Sequence, residues 1–233
     1  GLIKPEELPY KYKHEIHANE IVLLAYYIAA INIEAVYHSL VGKAQTGHTA
    51  EAGTPQSSDT QASSLRRSNL CGGKYQPFEG ICLTDTFRMG EEDLVSELMA
   101  GNSARRKRQQ NLEVRVIMGN PPYSALQETA NDNNQNVVYP DLDIRIRDTY
   151  AARSTATNKN GLYDSYIRAI RWASDRVGKS GIIGFVTNAG FLDGRTTDGL
   201  RRCLAEDFSS LYVFHLRGLR GQKTSGERAK QEG

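Results

Sequence analysis

Short apolar runs alternate with longer polar stretches along the chain, and the period of the runs changes from one to the next. Residues 12–16 predict a strand and residues 21–37 a helix, with Asn19 suited to the N-cap and Glu20 to the first turn. That helix is apolar on nearly every face, which predicts burial between other elements. Residues 81–87 predict a second strand ending in the polar Thr84, Asp85 and Thr86, followed by an acidic helix at 91–99. Residues 114–118 predict a strand that runs straight into Asn120-Pro121-Pro122-Tyr123. Beyond lie a helical patch at 142–150, a helix at 162–177 with Tyr163, Tyr166, Ile167, Ile170 and Trp172 as packing residues, and a strand at 182–187. A loop at 188–194, a helix at 197–206 and a last strand at 211–216 complete the order. Strands alternating with helices in this way predict an α/β fold with a mostly parallel sheet.

Two polar stretches interrupt the alternation. Residues 42–73 lack aromatic side chains and are dominated by Ser, Thr, Gly, Ala and Gln, so they bury too little apolar surface to offset the entropy of ordering. They are expected to form a flexible insertion without chemistry, His48 and Cys71 included. Residues 124–157 are irregular and rich in Asn and Asp, suiting a lid or DNA-contacting element beside a site.

Composition narrows the classes. With 233 residues, 39% hydrophobic and 24% charged, the chain can bury a core of its own, and a net charge of +2 neither demands nor excludes a nucleic-acid partner. Basic residues do cluster, at Arg105-Arg106-Lys107-Arg108 and in the tail 217–233, where phosphate contact and a solvated face are both open. Cys71, Cys82 and Cys203 have neither disulfide nor metal-ligand spacing, which predicts reduced thiols and no metal. The longest apolar stretch, 21–31, falls short of the roughly 20 residues that a membrane span needs, and the expected location is cytoplasmic. Gly178-Lys179-Ser180 lacks the glycine spacing and preceding strand of a phosphate-binding P-loop.

Candidate chemistry gathers where strands end, the position at which open α/β sheets hold ligands. Asn120 and the carbonyl of Pro121 can both accept hydrogen bonds from an exocyclic amine, localising a lone pair otherwise delocalised into a purine ring. Pro121 and Pro122 fix φ and restrict the residue before each, so these acceptors are held ready, and Tyr123 offers a flat face to an extruded base. The plainer alternative is a turn whose Tyr packs on the core. Glu20 suits either the hydroxyls of a ribose or the dipole of the helix that follows; Asp85 suits either an adenine amine or a helix N-cap.

These segments resemble the adenine-specific DNA methyltransferases whose cofactor motifs precede the catalytic one. They are most similar to the methyltransferase region of single-polypeptide (type ISP, type I-like) restriction-modification enzymes, in which a helicase-like motor comes first. The resemblance rests on residues 17–21 and 25–29, 78–87, Gly119 to Ser124, 163–172, 184–188 and 216–218, and covers all but the insertion. It implies a Rossmann-like, S-adenosylmethionine-dependent methyltransferase fold with double-stranded DNA as partner. It also implies that Glu20 with Ile21 takes the ribose of S-adenosylmethionine, Asp85 with Thr86 and Phe87 its adenine, and Asn120 to Tyr123 a flipped target adenine. Phe214, or else Phe208, is a second stacking partner for that base.

The pattern also departs from the family. No strand with a Gly-rich turn precedes residue 11 to receive the methionine part of the cofactor, and no target-recognition segment follows residue 233. The expectation is a partial catalytic domain over 1–233, incomplete at its N-terminal edge, within a parent polypeptide that supplies target recognition and helicase or nuclease modules. Two alternatives stand beside it: methylation of RNA or of protein glutamine, and a catalytically incomplete piece that only binds nucleic acid or supports an assembly.

Overall fold

Every strand pairing among the described residues is parallel, as the alternation predicts, and the strands pair two by two, Ala18–Glu20 with Ile81–Leu83 and Val116–Gly119 with Ile182–Phe185. The computed structural model describes residues 3–46, 75–89, 101–122 and 137–215. It divides into two units, Gly1–Leu112 and Glu113–Gly233.

The first unit opens with a 3-10 turn, Pro5–Glu7, and helix α1, Leu8–His14. Residues 12–16, expected as a strand, fall in this helix and the turn after it. Alternating Tyr10, Lys11, Tyr12 and Lys13 imitate a period of two, yet Leu8 and Tyr12 lie one helical turn apart and both pack inward. Tyr12 stacks on Tyr37 with ring centroids 3.7 Å apart and donates its hydroxyl to the carbonyl of Gln76 at 3.1 Å. Strand β1 is Ala18–Glu20, so Asn19 lies in a strand and not at a helix cap. Helix α2, Leu23–Thr46, continues into the expected insertion, because Gly42 costs only about 1 kcal/mol inside a helix already propagating. The remaining insertion, 47–74, and the acidic helix expected at 91–99 lie outside the described residues.

Helix α2 covers the β1–β2 core with Tyr26 and Tyr37, but Leu24, Ile28, Ile31 and Val36 are exposed, which corrects the expected burial on every face. Between Leu23 and Gly42 it is long and apolar enough, by length and composition alone, to cross a membrane, so the apolar stretch exceeds that expected from 21–31. Its Glu34 instead draws back the returning chain, accepting from the Tyr75 hydroxyl at 2.6 Å and the Phe78 N–H at 2.8 Å. Strand β2, Ile81–Leu83, then pairs with β1 in the register Ala18 to Ile81, Asn19 to Cys82 and Glu20 to Leu83.

A 3-10 turn, Thr86–Arg88, and helix α3, Asn102–Gln110, end the unit. The basic run in α3 is not a fully solvated face, because three of its arginines bond backbone carbonyls. Asn102, Arg106 and Gln109 are buried at helical spacing, and Arg105 donates to the Ile81 carbonyl at 3.0 Å. Arg106 donates to the Met89 carbonyl at 3.0 Å and Arg108 to that of Glu79 at 2.9 Å.

In the second unit, strand β3, Val116–Gly119, pairs with β4, Ile182–Phe185, in the register Val116 to Ile182 through Gly119 to Phe185. Helix α4, Pro140–Ile146, runs on through one π-helical stretch, Arg147–Ala151, and confirms the helical patch expected at 142–150. That part of 124–157 is core and not lid, since Ile146 and Tyr150 are wholly buried. A 3-10 turn, Asn160–Tyr163, leads into α5, Ser165–Arg176, whose Tyr166, Ile167 and Ile170 are buried as expected while Trp172 is half-buried. After β4 come the short α6, Gly190–Asp193, and α7, Asp198–Asp207. Ile146, Tyr150, Leu162, Ile167, Leu200 and Cys203 form the centre of this core.

Residues 211–215 form no strand. A strand needs a partner for its backbone groups, and the described residues supply none here. Leu216 and the basic tail lie outside the described residues.

Candidate functional site

Parallel pairing places the carboxyl ends of β1 and β2 side by side. Glu20 is the last residue of β1, its carbonyl accepts the N–H of Thr84 at 2.8 Å, and Asp85 follows at once. The pairing thus brings Glu20 and Asp85, 65 positions apart in the chain, to one edge of the first unit.

Each carboxylate also bonds locally. Oε1 of Glu20 accepts the N–H groups of Ile21 at 2.9 Å and Val22 at 3.0 Å, which fixes the side chain in the turn before α2. Oδ1 of Asp85 accepts the N–H of Phe87 at 2.9 Å and caps the turn Thr86–Arg88. Asp85 is thus a cap, though of a 3-10 turn, while Glu20 ends a strand and bonds the turn before α2 without standing in its first turn, and neither local bond excludes binding. Carboxylates oriented by backbone N–H groups approach a polyhydroxyl or amine ligand with little rotamer freedom left to lose. Glu20, Asp85, Thr86 and Phe87 are half-buried and Ile21 is exposed, so acceptors and an apolar surface occur together. This donor and acceptor set fits the nucleoside part of S-adenosylmethionine. One further polar atom sits here: Oδ1 of Asn19 is buried without a hydrogen-bond partner, one residue from Glu20.

The second cluster belongs to the other unit. Strand β3 ends at Gly119, whose carbonyl accepts the N–H of Val186 at 3.0 Å, and Asn120 follows. Asn120 is exposed, Pro121 buried and Pro122 exposed. A buried proline between two exposed residues anchors the turn at its middle and leaves the Asn side chain presented outward. Tyr123 lies outside the described residues, as does most of the polar stretch after it.

Alongside, β4 delivers Val186, Thr187 and Asn188 to the same end of the sheet. Oδ1 of Asn188 accepts the N–H of Gly190 at 2.9 Å and turns the chain into α6. These residues carried no role in the sequence reading; their signal was an apolar run ending in Thr-Asn, the same form of strand end as at Asn120. Below them Tyr166 lies buried in α5, and burial pushes its phenol up to about 12, with Asp164 adding to the shift.

Phe214 is 89% exposed on the unpaired segment 211–215, whereas Phe208 packs against the core. An exposed ring is open to stacking but is not held in any orientation, and a packed one is held without being open. Among the described residues no group of His, Cys, Asp and Glu could hold a metal ion, and Cys82 and Cys203 are buried thiols outside any disulfide.

Parallel α/β units with acids at one strand end and Asn-Pro-Pro at another are the parts of a Rossmann-like fold. Residues 26–220 match the model of the Eco57I restriction-modification methylase family, and the chain belongs to that family. No curated protein matches it. Among solved structures it is similar to a nuclease-deletion mutant of the Type ISP restriction-modification enzyme LlaGI in complex with a DNA substrate mimic. That pair shares 43% identity at a TM-score of 0.76, covering 100% of this chain and 17% of that one. A DrdV–DNA complex is 39% identical with a TM-score of 0.68 over 89% of this chain and 17% of that one. The ATP-dependent Type ISP enzyme LlaBIII bound to DNA is 43% identical with a TM-score of 0.69, over 87% of this chain and 12% of that one. The fold is accordingly that of the methyltransferase regions of Type ISP enzymes, and the chain spans about one sixth of the length of the first of these relatives.

Proposed function

We propose that this chain carries cofactor and catalytic elements of a DNA adenine methyltransferase in a restriction-modification system, acting on the N6 amine of an adenine turned out of the double helix. One observation carries the reading: Asn120-Pro121 follows directly on a parallel strand, with Pro121 buried and Asn120 exposed. Membership of a restriction-modification methylase family and similarity to enzymes solved with DNA support it.

In this reading Glu20 with Ile21 holds the ribose of S-adenosylmethionine, and Asp85 with Thr86 and Phe87 its adenine. S-adenosylmethionine held there would supply an electrophilic methyl group, its sulfur being left as a neutral thioether. The side-chain carbonyl of Asn120 and the backbone carbonyl of Pro121 accept the two N–H groups of the target amine and draw its lone pair out of conjugation. The proton lost by the methylated nitrogen, strongly acidic while that nitrogen carries a positive charge, passes to water, and Asn120 acts only as a hydrogen-bond acceptor. Tyr123 stacks on the extruded base, a contribution of about 1–3 kcal/mol, with Phe214 as a second face. The chain is in this view a partial catalytic domain of a cytoplasmic parent, which supplies target recognition and any motor or nuclease.

The test is Asn120→Ala in the parent enzyme, followed by transfer of labelled methyl groups to adenine in DNA and by titration with S-adenosylmethionine. Methylation is expected to fall by about 10²–10³ or more, on the scale of removing a positioned hydrogen-bonding group, while cofactor affinity stays within about twofold. Wild-type methylation in the variant overturns the mechanism, and label appearing in RNA or in protein glutamine overturns the substrate.

A further inference from the structure

Helix α3 is the least apolar element of the first unit, and its inward face is polar: Asn102, Arg106 and Gln109 are buried. What that face meets is the outer edge of β2. The Gly80 carbonyl and the Thr84 N–H bond to β1, so by the alternation of a strand Ile81 and Leu83 turn their backbone groups the other way. No further strand pairs there among the described residues. Arg105 takes the Ile81 carbonyl, and the Asn102 carboxamide takes both groups of Leu83, accepting from its N–H at 3.0 Å and donating to its C=O at 2.9 Å. Asn102 thereby does for Leu83 what a neighbouring peptide would do in a wider sheet. Its residue exposure is 0%, so water cannot substitute.

Leu83 stands two residues before Asp85. Arg106 and Gln110 hold the Met89 carbonyl just beyond the turn Thr86–Arg88, so α3 grips the segment on both sides of the proposed adenine-binding residues. Gly101 makes the approach feasible: its φ of 75° is left-handed, and it delivers Asn102 to the strand edge at the first position of α3.

We propose that Asn102 is a positioning residue for the cofactor site, setting the backbone of 84–87 through its paired hydrogen bonds to Leu83. This rests on the reading of Asp85, Thr86 and Phe87 as adenine-binding. Asn102 touches no ligand itself; it acts through Leu83.

The test uses the parent enzyme with Asn102→Asp and Asn102→Ala, checked for folding by circular dichroism and titrated calorimetrically with S-adenosylmethionine at pH 8 and pH 6. An ionised aspartate faces the Leu83 carbonyl and repels it, whereas a protonated one donates to that carbonyl as the amide does, and burial raises the pKa that separates the two. N102D is expected to bind at least tenfold more weakly than wild type at pH 8 and to regain much of the difference at pH 6. N102A is expected to be weak at both. In variants that stay folded at both pH values, a residue serving bulk stability alone would leave affinity unchanged and produce no such rescue. Both folded variants binding like wild type, or N102D showing no recovery relative to N102A, overturns the inference. Failure of the wild-type parent enzyme to bind overturns the cofactor reading instead. Hydrogen exchange then decides the positioning role, which requires the amides of 84–87 to lose protection in both variants and is overturned if they do not.

Discussion

At the scale of single residues, the same acid can suit the scaffold and the proposed site. Glu20 and Asp85 were recognisable in the sequence because acids at strand ends have few purposes. Which purpose applied was not legible, since a local hydrogen bond to the next turn and a ligand bond ask for the same residue in the same place. Both acids make the local bond, through one oxygen each in the bonds described above. Small residues carry similar information that composition hides. A Cβ on Gly199 in α7 would lie 2.1 Å from the Tyr150 carbonyl oxygen and 2.7 Å from the Ser154 nitrogen, both backbone atoms with no rotamer to yield. Gly199→Ala should therefore destabilise the second unit by about 2–3 kcal/mol, in the upper range for overpacking. Thermal unfolding followed by circular dichroism checks this, and an unchanged midpoint would show that α7 shifts freely against the π-helical stretch.

At the scale of elements, apolar periodicity located α2, α5 and α7 and the strands β2, β3 and β4 to within a few residues at most ends, except where α2 ran on. It failed in two informative places. The end of helix α1 reads as a strand at 12–16 because alternating Tyr and Lys around it imitate a period of two, and the helical face of Leu8 and Tyr12 has meaning only with α2 there to receive it. Helix α3 was missed because its buried stripe is polar, and a search for apolar spacing passes over Asn102, Arg106 and Gln109. Buried polar side chains also join elements in the second unit. Arg168 of α5 donates through Nε and Nη2 to the two oxygens of Asp143 of α4, at 2.8 and 2.9 Å, and its guanidinium lies 5.3 Å from the Tyr139 ring centroid. The Arg168 side chain is 10% exposed and that of Asp143 19%. Removing the acid alone strands a cation with little access to water. Asp143→Ala should cost about 2–3 kcal/mol, somewhat less than the loss of a fully buried pair, while Asp143→Ala with Arg168→Met should recover part of the loss. A double-mutant cycle in urea measures the coupling, and additive costs would mean that the two helices do not depend on the pair.

At the scale of the whole molecule, the two-unit division was not visible in the alternation of elements, because a parallel sheet and two parallel pairs have the same sequence order. Strand length holds the difference: each strand has only three or four residues, enough to align two strand ends but giving no sign of how many strands lie together. Charge pairing gives the second unit a measurable signature of its own. Burial works to raise the pKa of Asp175, but hydrogen bonds and attraction from Arg145 and Arg171 outweigh it and hold the carboxyl below its ordinary value. Hydrogen bonds from Ser154 and Thr155 hold Asp198 well below the usual range too. A carboxylate depressed in the folded state contributes stability that is present above its unfolded pKa, near 4, and is lost as pH falls through the folded value. The second unit should therefore keep its stability down to about pH 4–5 and lose it steeply below. Trp172, the single tryptophan of the chain, stands in α5 beside Arg171 and reports this unit directly. In Asp175→Asn, tryptophan fluorescence should show lower urea resistance at pH 7 and a shallower loss of resistance between pH 5 and pH 2, because one of the protons taken up on unfolding has been removed. If the variant and the wild type lose resistance in parallel over that range, the Arg145–Asp175–Arg171 linkage is not what makes the unit sensitive to acid.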